Sequence, residues 1–164
     1  MSRQKLPNLD HEHFLRLSFD IARKAGEDGE HPFGCLLVGP DGIVLMEQAN
    51  AFSSEGKDMT AHAERMLATR ASKAFPPDLL SACTLYTSAE PCAMCAGAIY
   101  WTGIGRVVFG LSESDLKRLT GAHAENPTLD LPCRSVFAAG QRVIEVVGPM
   151  LEEEAAALHR NFWV

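Results

Sequence analysis

Two apolar runs constrain this chain more than any other feature. CTLYTSA at 83–89 and RVVFGL at 106–111 are short enough for buried strands, and each leads into a segment with helical spacing. An earlier stretch, PFGCLLVGPDGIVLMEQAN, reads as two strands around the turn Pro40-Asp41-Gly42, a hairpin signal. Helical patterns surround these runs. Residues 8–27 carry Leu9, Phe14, Leu17, Phe19, Ile21 and Ala22 on one stripe and end at Gly26 to Gly29. A second helix is expected over 60–75, stopped by Pro76-Pro77, after the polar loop AFSSEGKDM. A third opens at Pro91 and runs to about Tyr100, and a fourth covers 112–119. RVIEVVG is a last strand, and MLEEEAAALHRNFW a last helix with Leu151, Ala155, Leu158 and Phe162 on one face. Residues 121–140 read as a long loop. Strands alternating with helices after a hairpin predict an α/β fold, a three-layer α/β/α sandwich with one mixed sheet of five strands.

No repeat or linker divides the chain, so its 164 residues are expected to form a single domain, 1–164. With 46% hydrophobic and 22% charged residues, the composition is that of a globular protein. The start, MSRQKLPNLDHEH, lacks an apolar leader and no stretch is long enough to span a membrane, so a cytoplasmic location is expected. A net charge of −6 argues against a protein built to hold a long nucleic acid. The five cysteines are an odd count without a leader, which disfavours a disulfide framework and points to metal or redox chemistry.

The chemistry concentrates in two short segments. In SAEPCAMC, Cys92 and Cys95 stand at i and i+3, on one face of a first helical turn where backbone N–H groups favour thiolates. Pro91 suits that turn because it has no N–H to leave unbonded. In TAHAERMLATR, His62 and Glu64 are two residues apart, which inside a helix would separate them by about 200°. They can share one pocket only where the helix begins. One histidine and two cysteines form a three-ligand zinc set with an open fourth position for water. Glu64 would stand beside the ion without binding it, taking a proton from the water and passing it to a ring nitrogen or departing ammonia. H-x-E followed by P-C-x-x-C is the signature of zinc nucleobase deaminases.

TAHAE and EPCAMCAGAIYW resemble the cytidine deaminase superfamily, most closely the branch of guanine deaminases and tRNA adenosine deaminases. The resemblance runs from the first helix to at least Gly110 and takes in the C-terminal HRNFW. It implies a five-stranded sheet between helices and one zinc per chain, with His62, Cys92 and Cys95 as ligands and Glu64 as proton shuttle. It also implies a homodimer. Asn50 stands where the family hydrogen-bonds the base, and Phe33 and Ala63 where it walls the pocket. Trp101 in AIYW follows the guanine deaminase pattern. Glu125 is the candidate for that branch's second proton shuttle. Trp163, or Phe162, is the candidate aromatic lid.

These positions also have plainer readings. A C-x-x-C pair alone could be a redox dithiol, and a closed structural zinc site could recruit Cys35, Cys83, Cys133 or His123. Cys35 and Cys83 fall in strand patterns and are expected in the core. Asn50 could be a turn residue, Phe33 a core residue, Trp163 an anchor of the last helix, and Glu64 a carboxylate favoured by the helix dipole. His11, His13, His31, His123 and His159 default to surface or packing roles.

The expected function is hydrolytic deamination of a small purine-type base or nucleoside, guanine first, with water as co-substrate. The alternatives are a tRNA wobble-adenosine deaminase and a catalytically silent zinc-binding domain. Ser112-Glu113-Ser114-Asp115 after the fourth strand, where tRNA enzymes show KTGA, and a tail with only Arg160 near its end give little purchase for RNA.

Overall fold

The computed structural model describes residues 5–164. Its five strands lie in the order β2-β1-β3-β4-β5. β1 (Gly34–Val38) pairs antiparallel with both β2 (Val44–Ala49) and β3 (Thr84–Ala89). β3, β4 (Arg106–Leu111) and β5 (Glu145–Val147) run parallel. The sheet is therefore mixed, as the hairpin followed by strand–helix alternation predicts.

Helices cover both faces. The alternation of strand side chains divides the core in two. Cys35, Leu37, Leu85, Val107 and Phe109 face one way, toward α2 (Ala63–Ala74), α3 (Pro77–Ala82), α4 (Ala93–Thr102) and α6 (Cys133–Ala138). Leu36, Val38, Tyr86 and Val108 face the other, toward α1 (His11–Glu27), α5 (Glu113–Thr120) and α7 (Glu152–Ala157). Cys35 of β1 and Cys83, which ends α3 just ahead of β3, are both buried in the first cluster, in the core where the sequence places them.

Several boundaries differ from those expected, for local reasons. Asp10 caps α1 by accepting from the His13 N–H at 3.1 Å, so the helix starts at His11, three residues late. Asp58 takes the Thr60 N–H at 2.8 Å in a turn ahead of α2, whose cap is His62, and that helix starts at Ala63. Pro76-Pro77 stops α2 but also starts a short helix, with Pro77 inside the first turn of α3. Pro91 lies ahead of the α4 cap, Cys92, and so outside the first turn. The stretch 121–140 is a loop only to Pro132, after which α6 forms. The last strand keeps three residues. The last helix ends at Ala157, before Asn161 takes a left-handed φ of 64°. No helix among the described residues is long and apolar enough to cross a membrane.

Candidate active site

Parallel β3 and β4 end side by side, and the chain enters α4 and α5 directly past them. In α/β sheets this is where ligands bind. His62 is the N-cap of α2, with extended backbone at φ −68° and ψ 143°. Cys92 is the N-cap of α4, equally extended. Two helix starts thus meet across the end of β3, and the His–Glu pair does sit at a helix start.

The His62 Nδ1 atom is 3.6 Å from the Sγ of Cys92 and 3.6 Å from that of Cys95. Ligands at the usual zinc bond lengths and tetrahedral angles stand about 3.6 Å apart, nitrogen to sulfur. The donor set therefore fits zinc, and no fourth His, Cys, Asp or Glu joins the cluster among the described residues. Cys133, the first residue of α6, is buried in the core. Of the two thiols, Cys92 gives up its proton first. The hydrogen bond from Cys95, opposed by burial and helped by His62, lowers its pKa, while the same bond raises that of Cys95. Burial pulls His62 down, but the Cys92 thiolate outweighs it and the imidazole is raised overall.

Glu64 lies in the first turn of α2, nearly enclosed, and accepts a 2.7 Å hydrogen bond from the Thr87 hydroxyl of β3. Burial pushes its carboxyl above the usual range despite that bond. Its side chain and His62 line one cavity, together with Cys92, Ala89 and Glu90. Phe33, Asn50, Glu113, Leu116 and Asn126 complete the wall. Asn50 accepts the Phe52 N–H through its side-chain oxygen at 2.9 Å, which leaves its amide N–H groups as donors for the cavity. The turn reading and the binding reading of Asn50 thus describe different atoms of one residue.

Other expected residues stand elsewhere. Ala63 is fully buried against the α2 core and does not line the cavity. Trp101 is a correction: it is 79% exposed on the last turn of α4, nine residues beyond Cys92 and so roughly 13 Å along the helix. Glu125 is another. Its carboxylate turns to His31 Nε2 at 2.8 Å, half-exposed and off the cavity wall, while its neighbour Asn126 faces the cavity. Trp163 joins an aromatic group with His159, His31, His123 and Phe162 and reaches the cavity only through Phe33, 6.1 Å between ring centroids.

Two carboxylates escaped the sequence reading. Glu90 binds the backbone N–H of Glu113 at 3.2 Å with one oxygen and that of Cys133 at 3.1 Å with the other, tying down the starts of α5 and α6. Glu113, almost wholly buried, is pushed up to about 8 by burial and then by the negative charges of Cys92, Glu64 and Glu90. The available signal was positional. The rule that singles out the residues after β3 singles out Ser112-Glu113 after β4.

Residues 9–111 match the family described as cytidine and deoxycytidylate deaminase zinc-binding region. A probable cytosine deaminase of Schizosaccharomyces pombe is 42% identical over 150 residues, covering 92% of this chain and 90% of that protein. The guanine deaminase of Bacillus subtilis is 38% identical over 110 residues, 65% of this chain and 68% of its own. A solved tRNA deaminase that edits adenosine to inosine at the wobble position superposes with a TM-score of 0.66 at 28% identity, covering 90% of this chain and 99% of that one. The chain belongs to the cytidine and deoxycytidylate deaminase zinc-binding family and is a zinc-dependent hydrolase of C–N bonds in nucleobases or nucleosides.

Proposed function

We propose that the chain deaminates a small base or nucleoside, with His62, Cys92 and Cys95 holding zinc and Glu64 moving the proton. The observation that carries this is the convergence of a buried carboxylate and a three-ligand metal set on one cavity. When bound, the zinc supplies Lewis acidity toward water. Glu64 takes the proton of the attacking water, with Thr87 fixing one oxygen, and delivers it to the ring nitrogen beside the amine-bearing carbon. Asn50 donates to an acceptor on the ring, and the apolar sides of Phe33 and Leu116 keep bulk water out. Glu64 then carries the proton of the hydroxyl added at that carbon to the amine, which leaves as ammonia while a carbonyl forms in its place.

Guanine is the first substrate to test, on the likeness to the guanine deaminase branch. Cytosine is the second, favoured by the 42% identity to the fission-yeast protein. A transfer RNA fits less well, because among the described residues no lysine or arginine lines the cavity and three glutamates do. Ammonia release from guanine, guanosine, adenine, adenosine, cytosine and an arginine tRNA stem-loop sorts these. Release from a small base or nucleoside supports the reading. Release from the stem-loop alone replaces it with the tRNA activity, and silence throughout, with one zinc bound, replaces it with a binding domain. Glu64→Gln should keep its zinc and lose about 10²- to 10⁴-fold in kcat. A homodimer belongs to the same proposal, and light scattering should give twice the chain mass.

A further inference from the structure

Glu113 is a carboxyl group of the cavity wall that the fold leaves without a counterpart among the described residues. It is the first residue of α5, only 5% exposed, and its backbone N–H is already taken by Glu90. A glutamate at a helix start normally sits in solvent near the dipole. This one is inside, and its carboxylate has no hydrogen-bond or ion-pair partner among the described residues. Its oxygens are not sealed in protein either, since the only fully buried side-chain nitrogen or oxygen without a partner among those residues is His159 Nε2. They open into the cavity that Glu64 and Asn50 share. Removing a carboxyl group from water without supplying donors is unfavourable, so its complement must come from whatever fills the cavity.

That complement is an N–H group. Glu64, on α2, works the ring edge that bears the amine. Glu113 reaches the same cavity from α5, and two carboxyl groups on different elements cannot share one ring nitrogen, so Glu113 is left for another edge of the ligand. On a free cytosine or guanine, the ring N–H remote from the amine-bearing carbon is the one to which a sugar would be attached. An acceptor holding that N–H, on a wall shared with Leu116 and Asn126, would stand where a ribose would have to go. We propose, resting on the deaminase reading above, that Glu113 is a specificity-determining residue that accepts this N–H, so that the site takes free bases and refuses their nucleosides.

The test uses the zinc-loaded full chain with cytosine against cytidine and guanine against guanosine. For the base that is turned over, kcat/KM should exceed that of its nucleoside by about 100-fold or more. Calorimetric titration adds a readout that requires no variant. 1-Methylcytosine or 9-methylguanine, which lack the N–H with little added bulk, should bind at least about tenfold more weakly than the parent base. Glu113→Gln and Glu113→Ala should lose about 10- to 100-fold in kcat/KM for the base, chiefly through KM, with zinc content unchanged. Equal turnover of base and nucleoside, equal binding of the methylated base, or Glu113→Ala within about twofold of the parent protein would overturn the role of Glu113. In those cases the deaminase reading stands. If none of these compounds either binds or releases ammonia, the deaminase reading fails and takes this proposal with it.

Discussion

At the scale of single residues, His159 shows how burial becomes a pH dependence. Its Nδ1 accepts from the Trp163 indole at 3.1 Å, so the ring proton sits on Nε2, which is buried without a partner. Burial pushes the imidazole down to about 4. As pH falls, the unfolded chain binds a proton near pH 6.5, whereas the folded chain does not until about 4. Full stability is therefore present above about 6.5 and is lost between the two values, by roughly 2–3 kcal/mol at pH 4.5. Denaturant midpoints at pH 7 and 4.5 should show a smaller drop in His159→Phe than in the parent protein. The gathering of His62, Cys92, Cys95 and Glu64 at two helix starts was legible in the sequence, because the spacing of each pair allows it only there. Glu113 was not, because nothing in Ser-Glu-Ser-Asp says which carboxylate turns inward. Trp101 misled because a motif records neighbours in sequence, not the direction a helix face takes.

At the scale of elements, the contact between α1 and β1 is the tightest test of the packing. Gly34 opens β1 directly beneath α1, and a Cβ there would lie 2.6 Å from the Ala22 backbone nitrogen and 2.6 Å from the Ile21 side chain. Gly34→Ala should therefore destabilise the fold by about 1–3 kcal/mol, read as a lower denaturant midpoint. The long apolar runs and the Pro-Asp-Gly turn made the strands and the hairpin legible. The short helices were not. Proline both ends α2 and begins α3, so one signal has two readings. α6, six residues long, owes its place to Glu90 forty-three residues earlier, a contact that no local pattern announces.

At the scale of the molecule, the metal set joins the starts of α2 and α4, two helices that share one face of the sheet. An ion bound there holds only the folded arrangement together, so chelation should lower Tm by on the order of 10 °C, and added zinc should restore it. Scanning calorimetry with and without chelator checks this. The mixed sheet and its layers followed from the order of strands and helices, which depends on the whole chain rather than on any one boundary. Glu90 has a wider consequence. Because it anchors the first residues of both α5 and α6, the intervening span that carries Asn126 is pinned at each end by a residue two positions from Cys92. Such a segment works like an exchangeable cassette. Its length and chemistry can drift while the anchors keep the reaction centre in register, so divergence in substrate choice should accumulate there first.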